Sequence, residues 1–311
     1  MLKFAYIFPG QGAQYVGMGQ DYYNRYPQAK EIFERANSVL GFDLTKLIFE
    51  GPQDELNRTL NCQVAVFVVS IACLRALENY HPAIDVKYTA GLSLGEYTAL
   101  VAAEAIDFEE GLKLVHKRAQ YMEEAAQENP GAMLCVIGLA LDKAQHICEK
   151  AGVEIANLNC PGQIVISGKV SGLKKAEELA QEAGAKKIIP LKVSGAFHSS
   201  LMSPAAKKLS VVLEKTEIRP PKIAVLSNVT AGEQSSPQEI KDNLARQVTS
   251  RTLWEDSIRF IAARGVKNFL EIGPGRVLKG LLRKIDSELK VYSIETVEDL
   301  EQFRKERAIC C

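Results

Sequence analysis

Gly91-Leu92-Ser93-Leu94-Gly95 constrains this chain more than any other segment. It follows a strand-like apolar run at 86–90 and precedes an apolar helical pattern that begins near Leu94. A Gly-x-Ser-x-Gly pentapeptide between strand and helix reads as a nucleophile elbow. The serine backbone is strained in such a turn, and a side chain at either flanking position would collide with neighbouring elements. The turn exposes Ser93 Oγ at a helix N-terminus, where the next amide, Leu94 N–H, can stabilise an oxyanion. The alternative is a plain Gly/Ser turn; the flanking elements favour the nucleophile.

The rest of the first 126 residues suits that elbow. A strand at 3–8 meets the turn Pro9-Gly10-Gln11-Gly12, and helical patterns follow at 27–40 and 63–79. A further helix starts at Asp107, whose Glu110 completes a capping-box pattern. Short strands alternating with helices indicate a doubly wound α/β layer. From 131 the rhythm changes. Strands at 132–137, 153–158, 164–167 and 187–193, with helices at 141–151 and 171–183, give the order β-α-β-β-α-β of a ferredoxin-like unit. Glu128-Asn-Pro-Gly131 and Ser194-Gly195 read as its boundaries. The expected organisation is a large α/β domain of residues 1–128 and 196–311, interrupted by a small insert of 129–195. The α/β pattern resumes with strands near 223–226, 268–272 and 291–294. With 311 residues, two domains need no covalent staples to hold a core.

Charge and cysteine usage exclude several functions. Lys+Arg and Asp+Glu both number 38, so no basic face of bulk excess exists to bind nucleic acid. The seven cysteines include no C-x-x-C and no zinc spacing, and most lie in apolar runs, as reduced core thiols would. No metal is expected. Cys310-Cys311 lacks the spacing of a prenylation signal. The run from Phe4 reads as a strand rather than a signal peptide. The most apolar stretch, 64–74, is too short to span a bilayer and ends at Arg75. Together these features lead to the expectation of a cytoplasmic protein that meets no membrane.

A serine nucleophile needs a base, and the chain has four histidines. His81 precedes Pro82 in a loop, His116 lies within a helix, and His146 sits in the charged helix of the insert. His198, in Ser194-Gly-Ala-Phe-His-Ser-Ser200, lies where the chain re-enters the large domain, and clefts between domains are where sites form. His198 is therefore the expected base. Arg118 falls inside the apolar stripe of its helix, with Leu114 and Met122 one turn away. It either snorkels to water or meets an anion. Near a serine nucleophile, its planar and permanent charge implies an acyl group that carries its own carboxylate. Two glycine motifs do not qualify: Gly10-Gln-Gly-Ala-Gln has Tyr15 where a dinucleotide fingerprint needs glycine, and Ser167-Gly-Lys-Val170 lacks P-loop spacing. Both read as tight turns bringing backbone amides near a site.

Pro9-Gly-Gln-Gly12, Gly-Leu-Ser-Leu-Gly-Glu at 91–96, Arg118 and Gly-Ala-Phe-His-Ser at 195–199 together resemble the malonyl-CoA:acyl-carrier-protein transacylases. The resemblance runs nearly the whole chain and extends to Asn159-Cys-Pro-Gly-Gln-Ile-Val-Ile-Ser-Gly168, Ser227-Asn-Val-Thr230 and Glu271-Ile-Gly-Pro-Gly275. It implies a hydrolase-like large domain with a ferredoxin-like insert. It implies Ser93 as nucleophile, His198 as general base and acid, and the amides of Gln11 and Leu94 as oxyanion hole. Arg118 would clamp the malonyl carboxylate, Asn159 would contact or support the substrate, and Phe197 would select malonyl over α-branched groups. A main-chain carbonyl orients the histidine in this family, and Gln247 holds that position. The implied reaction is ping-pong transfer of malonyl from malonyl-CoA to an acyl carrier protein by a monomer. The coenzyme A thioester is a substrate, so no cofactor is implied.

The sequence departs from the family at Leu92, where histidine is usual, at Val64 after Gln63, and at Arg251-Thr252 ahead of Trp254. A change of packing is expected at Leu92. Two other readings share the motifs. A serine esterase or thioesterase would use the same elbow and base but admit water. A carrier-docking scaffold with a degenerate site would need none of Ser93, His198 and Arg118. Within the family, a different extender acyl group is a third. Lys186-Lys187, Lys207-Lys208 and Arg283-Lys284 are basic pairs that could face an acidic carrier or simply be solvated.

Overall fold

The computed structural model describes residues 2–80 and 84–308. Its strands are β1 (Lys3–Phe8), β2 (Asp85–Gly91), β3 (Ala132–Ile137), β4 (Glu154–Cys160), β5 (Gln163–Gly168), β6 (Lys187–Pro190), β7 (Ala224–Leu226), β8 (Glu233–Gln234), β9 (Asn268–Ile272) and β10 (Lys290–Ile294). They form a six-stranded sheet, β10-β9-β1-β2-β7-β8, and a four-stranded sheet, β4-β5-β3-β6. The larger sheet is parallel apart from the β7–β8 pair. Phe4 to Phe8 are all buried, as an unbroken apolar run should be in a central strand covered on both faces. β1 pairs with β2 on one side and β9 on the other. Phe8 lies opposite Gly91, so the Pro9–Gly12 turn and the elbow leave adjacent strands at one level. Crevices beyond the carboxyl ends of parallel strands, where connections diverge, are where α/β proteins bind ligands.

The smaller sheet is antiparallel throughout and carries helices Leu141–Ala151 and Val170–Glu182. Along β3 the side chains divide by parity. Leu134 and Val136 pack into the small sheet's own core, whereas Met133 and Cys135 join the core shared with the large sheet. The outer edge of β4 is joined to the segment before Trp254: Leu158 N–H donates to Thr252 O at 2.9 Å and Thr252 N–H to Ala156 O at 2.8 Å. This pairing fixes the small sheet over the large one. Cys62, Cys73, Cys135, Cys148 and Cys160 are all buried free thiols.

Three local expectations are corrected. Asp107 occupies the N-cap of helix Phe108–Glu128, yet its side chain caps no amide. Its carboxylate pairs with Arg219 and Glu110 pairs with Lys113, because a charged donor outcompetes a backbone amide at an exposed helix start. The strand expected at 187–193 ends at Pro190. The apolar stretch at 64–74 belongs to a longer helix, Thr59–Tyr80, whose Thr59–Asn79 portion is long and apolar enough to cross a membrane. That helix is instead the core of the fold. It packs between Pro27–Leu40 and Phe108–Glu128, with Phe67 stacked on Phe108 at 5.9 Å, and 83% of its most apolar window is buried. A helix apolar on all sides finds protein on all sides. His81, Cys310 and Cys311 lie outside the described residues.

Candidate active site

The elbow takes its shape from two close backbone approaches. A Cβ on Gly91 would stand 1.9 Å from the Gly95 carbonyl carbon, and one on Gly95 would stand 2.2 Å from Phe8 O. Only glycine fits either position. Between them Ser93 has φ 52°, a left-handed conformation that costs a non-glycine residue about 1–3 kcal/mol and marks functional turns. Asn228 holds it there: Ser93 N–H donates to Asn228 Oδ1 at 2.6 Å, and Asn228 Nδ2 donates to Gly91 O at 2.7 Å. Leu92 helps line the cavity in front of Ser93, and its amide donates to Phe8 O at 3.1 Å.

Ser93 Oγ lies 2.8 Å from His198 Nε2, and His198 Nδ1 lies 2.8 Å from Gln247 O. A carbonyl can only accept, so Nδ1 carries the proton and Nε2 is left as the acceptor for the serine hydroxyl. His198 has φ 58° and is buried. Burial, reinforced by the charge of Arg118, lowers its pKa to about 4, against the bonds from the Gln247 and Ser250 backbone. A base depressed in this way is neutral, and therefore competent, above its pKa and is lost as pH falls through it. Acyl transfer should thus persist at pH 5, where an ordinary imidazole is about 97% protonated. The acid limb of kcat/KM should fall near pH 4; a limb near 6.5 would contradict the burial argument.

Arg118, on helix Phe108–Glu128, is 1% exposed. Its guanidinium donates to Gln63 Oε1 at 2.5 Å, Ser93 Oγ at 2.9 Å and Gln247 Oε1 at 3.0 Å, and lies 5.3 Å over the Tyr97 ring. Burial lowers its pKa, but a guanidinium stays charged. Among the described residues it bonds only neutral acceptors and its Nε has no partner. A buried cation without a direct anion is costly, and a carboxylate on the ligand would relieve it.

These groups open onto a cavity of about 250 Å³ lined by Gly10, Gln11, Ser93, Arg118, Asn159, Phe197 and His198, among others. Asn159 Oδ1 is buried with no partner among the described residues, so that side chain has bonding capacity left for a ligand. Gln11 and Leu94 flank Ser93 from the two turns, and among the described residues neither amide donates a hydrogen bond. The site thus brings together Ser93, His198, Arg118, Gln247, Asn159, Phe197, Gln11 and the Leu94 turn. His116 and His146 stand on helices outside the lining, and so does the Ser167–Val170 turn, contrary to its expected place near a site. Among the described residues no three His, Cys, Asp or Glu side chains cluster as a metal would require.

Sequence reasoning missed two parts of the site. Met133, Cys135 and Val165 roof the cavity from the small sheet. For Met133 and Cys135 the signal was the unbroken apolar run at 132–137, and for Val165 the run Ile164-Val165-Ile166; both need apolar cover on both faces. The second part is Glu96, which is fully buried and accepts from Gln247, Asn228 and Gln234. Burial raises its carboxyl to about 7, opposed by those three donors and by Arg118.

Comparison with known proteins shows the family of the whole chain. Residues 5–302 match the acyl transferase domain family. A malonyl CoA-acyl carrier protein transacylase of Bacillus subtilis (strain 168) is 44% identical over 306 residues, 97% of this chain and 96% of its own. One from Staphylococcus aureus (strain MRSA252) is 42% identical over 98% of this chain and 99% of its own. An acyl-carrier-protein S-malonyltransferase from Burkholderia pseudomallei 1710b superposes with a TM-score of 0.94 at 41% identity, covering 98% of this chain and 100% of that one. A type II PKS acyl-carrier protein in complex with its malonyl-transacylase gives 0.95 at 38% identity, covering 98% and 99%.

Proposed function

The chain belongs to the acyl transferase family, among the malonyl-CoA:acyl-carrier-protein transacylases, and from that premise we propose how its residues carry out the reaction. The enzyme transfers malonyl from malonyl-CoA to the phosphopantetheine thiol of an acyl carrier protein, supplying extender units for fatty acid synthesis. The observation that carries the residue-level reading is the Arg118 guanidinium 2.9 Å from Ser93 Oγ, with only neutral hydrogen-bond partners among the described residues. It supports an acyl group ending in a carboxylate, held with its thioester carbon at the serine.

In the first half-reaction Ser93 Oγ attacks the thioester carbonyl as His198 Nε2 takes its proton. The oxyanion is met by the amides of Gln11 and Leu94, one such donor being worth about 2.7–4 kcal/mol. Collapse breaks the C–S bond, and the coenzyme A thiolate takes the proton from His198, leaving a malonyl ester on Ser93. In the second half the carrier thiol gives its proton to His198 and attacks the ester. Ser93 leaves and recovers the proton. Arg118 holds the malonyl carboxylate throughout, and Asn159 contacts the thioester portion. The acyl group moves between thiols with no redox change, so the reading needs no cofactor; coenzyme A is substrate and product.

We read the large unit as hydrolase-like, interrupted at 129–195 by a ferredoxin-like insert, in a cytoplasmic monomer that engages neither membrane nor nucleic acid. The elbow and the β-α-β-β-α-β order support the first part, and the balanced charge supports the last.

The test is an intact mass after incubation with malonyl-CoA alone. A malonyl adduct that carrier protein removes is the expected result. Coenzyme A release without adduct or carrier would instead make the protein a hydrolase. Phe197, buried and lining the cavity, leaves little room for an α-methyl branch. Phe197→Ala should raise kcat/KM for methylmalonyl-CoA by about tenfold or more, the low end of what one methyl group is worth. No gain would remove Phe197 from the selectivity argument.

A further inference from the structure

Glu96 sits in the first turn of helix Gly95–Ala102, and no step of the reaction above uses it. Its Oε1 accepts from Gln234 Nε2 at 2.8 Å, and its Oε2 accepts from Asn228 N–H at 3.1 Å and Gln247 Nε2 at 2.6 Å. Every partner is a donor, and the Asn228 amide is backbone that cannot turn round. Gln234 is held in its orientation from behind, since Asn243 Nδ2 donates to its Oε1 at 3.1 Å. The pocket around Glu96 therefore requires a group that only accepts, which is a carboxylate in its ionised form, the form that dominates above its pKa of about 7.

The consequence falls on Gln247. A side-chain amide can lie either way round, and here Nε2 donates to Glu96 and, at 3.0 Å, to Ser93 O. That leaves Oε1 to accept from Arg118 at 3.0 Å. Turned over, the amide would set its NH2 against the guanidinium and its oxygen against the Glu96 carboxylate, two repulsive contacts in place of two attractive ones. Gln63 Oε1 holds the other guanidinium nitrogen; among the described residues Gln247 is the side chain that shares a hydrogen bond with the nitrogen that reaches Ser93 Oγ.

We propose that Glu96 is a positioning residue for malonyl recognition: its carboxylate locks the Gln247 side chain so that Oε1 aims the Arg118 guanidinium at the acyl group on Ser93. The proposal rests on the malonyl-transfer reading and adds to it the group that sets the aim of the arginine. The His198 side of the site depends on the Gln247 main-chain carbonyl, which the side-chain orientation leaves in place.

Glu96→Gln preserves shape and removes the acceptor-only chemistry. It should raise the KM for malonyl-CoA about tenfold or more while kcat falls less than threefold. Sulfonylation of Ser93 by phenylmethylsulfonyl fluoride, an uncharged reagent that reads the Ser93–His198 pair, should stay within threefold of wild type. Glu96→Asp, which keeps an acceptor-only group, should return the KM to within threefold. A Glu96→Gln KM within twofold of wild type overturns the proposal, as does a sulfonylation rate that falls in step with malonyl transfer. If Glu96→Gln does not fold, Gln234→Leu removes one donor from Glu96 without touching Gln247 or Arg118. It should raise the KM about threefold, and an unchanged KM overturns the proposal. Wild-type protein that forms no malonyl ester overturns the underlying reading instead, so the two failures are distinguishable.

Discussion

Ser93→Ala should form no malonyl ester and should transfer malonyl about 10⁴- to 10⁶-fold more slowly than wild type. The estimate follows from removing the one atom that makes the covalent intermediate while leaving cavity, oxyanion amides and arginine in place. In serine enzymes built this way, loss of the nucleophile costs that much, and the residual rate comes from binding and oxyanion stabilisation. Alanine at φ 52° carries the same backbone strain as serine, so the variant should fold with little change in thermal midpoint. Intact mass after incubation with malonyl-CoA and single-turnover transfer to carrier protein are the two readouts. An adduct persisting in Ser93→Ala would place the nucleophile elsewhere.

Arg118→Ala should lower kcat/KM for malonyl-CoA by about 10²- to 10³-fold, within the range for truncating one side of a buried charge pair. For acetyl-CoA, which has no distal carboxylate, kcat/KM should change far less, so the malonyl-to-acetyl preference collapses. Selectivity is the useful readout because stability also falls. Gln63 Oε1 and Gln247 Oε1 lose their donor, at roughly 1–3 kcal/mol for each group left unsatisfied. An equal loss for both substrates would mean that the arginine supports the site without reading the acyl group. Arg118→Lys should not rescue, because the guanidinium serves Gln63, Ser93 and Gln247 together and an ammonium on a flexible stem does not reproduce that fork.

The legibility of the sequence followed the range of the forces involved. The Gly-x-Ser-x-Gly pattern could be read because part of its cause is local: a Cβ on Gly91 would meet the Gly95 carbonyl within the same turn, whereas the Gly95 clash is with Phe8 O of the neighbouring strand β1, which only the tertiary structure shows. Helices Pro27–Leu40 and Leu141–Ala151 and strands Ala132–Ile137 and Asn268–Ile272 match the expected bounds, since periodicity and capping are local as well. The two-residue β8 has too few positions to show a period. The resemblance also pointed to Ser93, His198, Arg118 and the Gln247 carbonyl, but not to the side-chain bonds from Gln63 and Gln247 that hold Arg118.

Direction was decided in three dimensions. The tautomer of His198 depends on a main-chain carbonyl 49 positions away, and a carbonyl leaves no mark in the sequence because every residue has one. Whether Arg118 reached water or stayed inside depended on Gln63 and Gln247, which come from two other helices. Glu96 stood at the end of the 91–96 motif with no role assigned, and its three donors come from segments more than 130 positions further along the chain. Local sterics and apolar periodicity, which the sequence by itself determined, fixed where the nucleophile stands. Hydrogen bonds between distant segments, which only the tertiary structure brings together, decided what that nucleophile is aimed at, because a polar side chain takes its orientation from partners that the chain order does not name.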